Sequence, residues 1–192
     1  MTADVTQTPS GVRIRQWLRE DEARMAALQV LATVAPPDAW LAAGFVRNLV
    51  WDRLHGYSVP TPLNDLDVIY FDAVDVSRPT EQAFEVALRA RLDHPWSVRN
   101  QARMHRRNGD RPYQDSIDAM CYWVEVETAV AVRLTRADTL QLAAPFGLES
   151  LMAGRVTPNP YRPRPEAFAR RWHEKGWLQQ WPLLSEYSPT SS

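Results

Sequence analysis

Asp65 and Asp67 stand two apart in the stretch NDLDVIYFD. On a β-strand both side chains would leave the same face, with Cα atoms about 6.6 Å apart. Two carboxylates on one wall suit a magnesium ion whose octahedron is completed by water and substrate phosphates. Two such ions about 3.5–4 Å apart can clamp the attacking and leaving oxygens of a phosphoryl displacement. The plainer reading of the pair is two acidic residues at a turn after Asn64. The preceding residues add to the first reading. Gly44 lies where a short apolar run, residues 40–43, gives way to helical spacing, and free backbone N–H groups at a helix start attract anions. Arg47 falls in the first turn of that helix, where a cation opposes the dipole. Contact with a phosphate or carboxylate would account for it, as would an ion pair with Asp65 or Asp67.

These residues need elements to hold them. Residues 40–43 are apolar and bounded by turn signals, so they read as a buried strand. Val46, Leu49, Val50 and Leu54 form one face of a helix that Gly56 ends. Residues 57–64 are a loop with Pro60 and Pro62. Residues 65–71 are a strand, with Leu66, Val68 and Tyr70 on one face and Asp65, Asp67, Ile69 and Phe71 on the other. Both faces turn apolar beyond the aspartates, which places the strand centrally in its sheet.

Upstream, the apolar stripe Ile14, Trp17, Leu18, Met25, Leu28 and Leu31 predicts one helix over 12–34, stopped by Pro36 and Pro37. Downstream, helical spacing covers 80–92 and a strand is expected over 96–105. Residues 106–113 read as a polar loop, 116–124 as weakly helical, 128–134 as a strand and 148–153 as a short helix closed by Gly154. After the proline-rich stretch TPNPYRPRP, a helix is expected over 165–175 with proline in its first turn. Trp177 and Trp181 are expected to pack back onto the domain. Residues 1–11 are small and polar and read as a disordered N-terminus; residues 12–192 read as a single domain with a Pro/Trp-rich C-terminal tail. Strands alternating with helices imply a layered α/β or α+β architecture.

Composition narrows the partners. A net charge of −1 on 192 residues gives no overall field toward nucleic acid or membrane. Lys175 is the only lysine among 22 basic residues, a bias that fits a GC-rich genome as well as phosphate affinity, so arginine positions matter more than their number. The single cysteine, Cys121, excludes an intrachain disulfide framework and a cysteine-based zinc site, and fits a reducing cytoplasm. The N-terminus lacks the apolar stretch of a signal peptide, and no run reaches bilayer-spanning length, so a cytoplasmic protein without membrane association is expected.

The string Gly44-Phe45-Val46-Arg47-Asn48, a helix, then Asp65-Leu66-Asp67-Val68 resembles the core of the DNA polymerase β-like nucleotidyltransferase superfamily. Its G-x-V-R element followed by D-x-D is nearest in style to CCA-adding enzymes and bacterial poly(A) polymerases. The fuller pattern GFVRN, VWDRLHG, NDLDVIYFD, NQARMH and APFGLESL resembles a bacterial family of predicted nucleotidyltransferases over roughly residues 40–181. The resemblance implies an α+β fold with a mixed sheet flanked by helices. It also implies transfer of a nucleoside monophosphate from an NTP, with Mg²⁺ or Mn²⁺, to an acceptor that is a small molecule, protein or RNA. It makes Asp65 and Asp67 the catalytic metal ligands, and it assigns Gly44, Phe45, Arg47 and Asn48 to nucleotide binding.

Two positions depart from the superfamily pattern. Phe45 follows Gly44 where Gly or Ser is usual. A third carboxylate, expected on a later strand, has no obvious counterpart; Asn100 occupies the natural place, and a neutral amide is a poor base. Asp118, Glu125 and Glu127 are substitutes, with Glu127 just before the TAVAVRL strand. Arg99, Gln101, Arg103 and His105 would share one strand face, lining the cleft as a basic wall or facing solvent. Asn100, Arg103 and Glu127 are therefore the further candidates. A catalytically inactive module of the same fold, binding nucleotide or a protein partner, is the alternative these departures suggest. A purely structural domain, its aspartates pairing with Arg47 and neighbouring arginines, is a third. His55, His94 and His173 show no metal-ligand spacing, and the eight tryptophans are not interleaved with a basic run, which favours packing over base stacking.

Overall fold

The computed structural model of the 192-residue chain describes residues 3–34, 36 and 38–186. Five strands form one mixed sheet in the order β3-β2-β1-β4-β5: β1 (Trp40–Ala42), β2 (Leu66–Tyr70), β3 (Trp96–Asn100), β4 (Ala131–Leu134) and β5 (Leu140–Ala143). β2 runs parallel to β3, and every other neighbouring pair is antiparallel. β1 and β2 are thus hydrogen-bonded on both edges, as the two-sided apolar pattern of β2 requires.

Alternation sorts the two faces. Leu41, Val68, Val98, Val132 and Leu142 point into the main core, which is closed by α1 (Pro9–Arg19), α2 (Glu22–Val34), α3 (Gly44–Leu54) and α4 (Arg78–Arg91). Trp40, Ala42, Ile69, Ala131 and Ala143 point the other way into a smaller cluster with Met120 and Ala129. Asp67 shares a face with Ile69, so the aspartate lies on the thinly covered side, where small side chains leave space.

The stripe read as one helix over 12–34 is broken into α1 and α2. Asp21 sits at the junction, and its carboxylate accepts from the Arg24 backbone N–H at 2.9 Å, which starts a new helix. Residues 3–11, read from composition as disordered, are joined to the sheet. Asp4 bridges Ala143, the Val5 N–H donates to Leu142, and the Thr8 hydroxyl caps α1. Met1, Thr2 and Pro37 lie outside the described residues.

β3 stops at Asn100, five residues short of the expected strand end. The buried Asn100 side chain accepts from the Ala102 N–H at 3.0 Å and turns the chain into α5 (Gln101–Asn108). Beyond come α6 (Ser116–Met120), α7 (Glu149–Met152), the two-residue strand β6 (Arg155–Val156), α8 (Pro165–Glu174), α9 (Trp177–Gln180) and β7 (Ser185–Glu186). β6 and β7 pair in parallel and bring the end of the described chain back beside α7. Trp177 and Trp181 meet Trp51 of α3 edge-on, with centroids 5.5 and 5.1 Å apart. The Trp181 indole N–H donates to Asp52 at 2.8 Å. Asp52 also accepts from the Thr61 N–H and hydroxyl, so this buried carboxylate ties α3, the loop before β2 and the C-terminal segment together.

Candidate active site

A cleft of about 410 Å³ opens on the thin side of the sheet, where the start of α3 meets β2. Ala43 and Gly44 form one wall and Asp65 and Asp67 another; Arg47, Asn48, Glu125, Thr128, Arg171 and Lys175 also face it.

The turn into α3 is strained at Ala43 rather than at Gly44. Ala43 has φ 55°, rare for a residue with a Cβ. It is pinned because its N–H donates to Val130 at 2.9 Å and its carbonyl accepts from Val46 and Arg47. Gly44 lines the cleft without a side chain, and a Cβ there would meet the Asn48 and Arg47 side chains at 3.4 and 3.5 Å, an ordinary contact. No side chain caps α3. With Val46 and Arg47 N–H bound to Ala43, the Gly44 and Phe45 N–H groups remain at the positive end of the helix.

Phe45 does not belong to the cleft. It is 1% exposed and packs in the core, its ring under the Arg24 guanidinium and its carbonyl accepting from Arg24 Nε at 2.8 Å. The residue that departs from the superfamily pattern therefore leaves the opening clear and contributes only backbone there.

Arg47 is buried between two indoles, its Cζ 4.9 Å from the Trp51 ring centre and 4.8 Å from that of Trp177. One terminal nitrogen donates to Thr128 at 2.9 Å and the other to Asn48 at 3.0 Å, while Nε has no partner. Arg47 pairs with neither Asp65 nor Asp67; among the described residues its hydrogen bonds are all to neutral groups. Burial pushes the guanidinium down to about 10, against the pull of Glu125 and, more weakly, of Asp67 and Asp65. It stays charged at neutral pH, a buried cation whose compensation comes from aromatic faces and distant carboxylates.

Asp65 is exposed and precedes β2, and Asp67 is half-buried within it. Burial, and then the charge on Asp65, hold the Asp67 carboxyl above its ordinary range. Two like charges that strain each other and have no ion-pair partner among the described residues fit one divalent cation, with water and phosphate filling its remaining positions. No cluster of three His, Cys, Asp or Glu side chains suited to a metal occurs among the described residues.

The three further candidates from sequence all lie elsewhere. Asn100 is fully buried; its amide donates to the carbonyls of Asp72 and Asp75 and its oxygen accepts from Asp72 N–H, work that caps α5 and fixes the loop after β2. Arg103 turns back to Glu81, Nε to oxygen 2.8 Å. Glu127 points toward α7, bound by the Ser150 hydroxyl and the Thr157 N–H, and burial raises its carboxyl. Asp118 is held by Arg111. The carboxylate that does face the cleft is Glu125, 1% exposed and paired with Arg171, Nε to Oε1 2.5 Å. Arg99 and Gln101 line the cleft, as the basic-wall reading expects, but Arg103 and His105 do not.

Arg164, Arg171 and Lys175 reach the cleft from α8 and its flanks, and Trp177 at the start of α9 stacks on Arg47 behind it. No spacing rule flags them. They share a cleft with Asp67 although more than 90 positions separate them in the chain.

A family model described as nucleotidyltransferase matches residues 29–185. The chain belongs to that nucleotidyltransferase family, and its mixed sheet with flanking helices is the polymerase β-like fold. A solved structure described as revealing a CCA-adding enzyme head domain is similar with a TM-score of 0.81 and 33% identity, over 93% of this chain and 96% of the other. A complex of a CCA-adding enzyme with CTP is similar in fold, with a TM-score of 0.58 and 12% identity, over 91% of this chain but 43% of that one. No curated protein matches the chain. Among the described residues no helix is long and apolar enough to cross a membrane.

Proposed function

We propose that this chain is a cytoplasmic nucleotidyltransferase that moves a nucleoside monophosphate from an NTP to an acceptor: a small molecule, a protein or an RNA. The acceptor hydroxyl gives up its proton to solvent as its oxygen bonds to the α-phosphorus, the bond from that phosphorus to the β-bridging oxygen breaks, and pyrophosphate leaves. The observation that carries this reading is the facing of Asp65 and Asp67 against the uncapped start of α3 with Arg47 beside it. Mg²⁺ or Mn²⁺ held by the two aspartates would neutralise phosphate charge as it shifts to the leaving group. The Gly44 and Phe45 N–H groups of α3 and the guanidinium of Arg47 bind phosphate oxygens in fixed positions. Fixed donors of this kind need no reorganisation as charge develops. Lys175 and Arg171 add positive charge from the opposite side.

The test is incubation with α-labelled NTPs, Mg²⁺ or Mn²⁺ and cell extract. A labelled product that is absent with the Asp65→Asn, Asp67→Asn double variant supports the reading. Metal-dependent NTP binding that persists in the double variant would sink it. One observation favours the alternative of a binding-only module: the cleft-facing carboxylate, Glu125, is occupied by Arg171. Label transfer by the wild-type chain excludes that alternative.

A further inference from the structure

We propose that the Arg171–Glu125 ion pair is a place-holder in the cleft: a polyphosphate takes Arg171 away from Glu125, so that Glu125 competes with the ligand and sets its affinity. This rests on the reading that the cleft receives a triphosphate.

The argument begins with how each cleft arginine is held. Arg99 is paired with Glu85 and Arg164 with Asp110, and neither of those carboxylates lines the cleft. Arg47 is fixed between Trp51 and Trp177 and by Thr128 and Asn48. Arg171 differs from all three, because its partner stands inside the cleft with it. Its side chain is 31% exposed, whereas that of Glu125 is 1% exposed. A ligand entering from solvent reaches the arginine first. The guanidinium forks onto Glu125 through Nε and a terminal nitrogen, at 2.5 and 3.2 Å. A phosphate offers the same bidentate geometry with more negative charge.

Displacement would be prohibitive if it left Glu125 buried and bare, since an uncompensated buried charge is strongly destabilising. Here a second cation is at hand. Arg47 lines the same cleft as Glu125, and the Glu125 charge acts on its guanidinium. Losing Arg171 therefore leaves Glu125 opposed by Arg47. Glu125 is thus a positioning residue, which parks Arg171 at the cleft until a polyanion arrives.

Isothermal titration of the full chain with inorganic tripolyphosphate, free of divalent metal, tests the exchange. Glu125→Gln should bind tripolyphosphate about 5- to 20-fold tighter than wild type, and adding Arg171→Met should abolish that gain. The Arg171 Nε–Hε resonance of the wild-type chain should shift as tripolyphosphate binds, a change that loss of charge alone does not produce. If wild type binds while this resonance stays in place, or if Glu125→Gln binds no tighter, the exchange is wrong and the triphosphate cleft stands. If neither wild type nor Glu125→Gln binds tripolyphosphate or any NTP, both readings fall together.

Discussion

The two halves of the cleft are built in different ways. Gly44 opens α3 after β1, Asp67 lies in β2 and Asp65 just before it, and both strands are bonded on both edges and backed by the main core. Arg171, Lys175 and Trp177 come from α8, its end and the start of α9, held by Phe168, Trp177 and Trp181 and by bonds to Asp52, Tyr57 and His55. The first half fixes where phosphate and metal would sit. The second supplies Arg164, Arg171 and Lys175 to the cleft and one face of the Arg47 sandwich. An acidic wall set in the central sheet thus faces a basic wall carried by a C-terminal segment packed on α3, so damage to the two should differ in kind.

Replacing Asp65 and Asp67 together by Asn should break that contrast most. Label transfer should fall by about a thousandfold, on the scale of losing fixed charge stabilisation in a transition state, while circular dichroism stays unchanged. Trp177→Ala comes next. It removes a 3%-exposed indole and should cost about 3–5 kcal/mol in urea unfolding. It should also weaken NTP binding, because Arg47 loses one of its two stacking partners. Adding Mg²⁺ and NTP together should stabilise the wild-type chain by about 2.7 kcal/mol at a hundredfold excess over Kd, and the Asp double variant should show none of this.

A smaller effect sharpens the acidic side. Asp67 is held above its ordinary range, so the folded chain keeps that proton to higher pH than the unfolded chain does. The stability this contributes is full below the usual carboxylate range and is lost as pH rises through the folded value. Without metal, Asp67→Asn should therefore melt higher than wild type at pH 7, and the gap should close on acidification. Smallest of all, Arg103→Met should lower stability through Glu81 yet leave NTP affinity within about twofold of wild type, since its ion pair lies outside the cleft. A large affinity loss there would redraw the basic wall.

The acidic half was legible because its signals are local. Alternation in LDVIY gave β2 and its faces, and the change of spacing at Gly44 gave the start of α3. The extension of β3 to His105 failed because residues 101–105 still alternate acceptably, while a side-chain cap from Asn100 overrides alternation. Phe45 could not be cleared from sequence, since only the path of α3 shows that its ring turns into the core. Glu125 and Glu127 are two apart, but the chain there is a bridge and turns, not a strand, so spacing could not say which faces the cleft. The basic half stayed hidden because Arg171 and Trp177 reach Glu125 and Arg47 across gaps of 46 and 130 positions.

The stacking of Trp177 on Arg47 has a consequence for synthesis. As the chain leaves the ribosome, the aspartates and the start of α3 emerge long before the indole that steadies the arginine between them. Until then Asp52 lacks its indole donor and Arg47 has one aromatic face open to water. A nascent chain that has not yet exposed Trp177 and Trp181 should hold nucleotide poorly, so binding competence would arrive late and all at once.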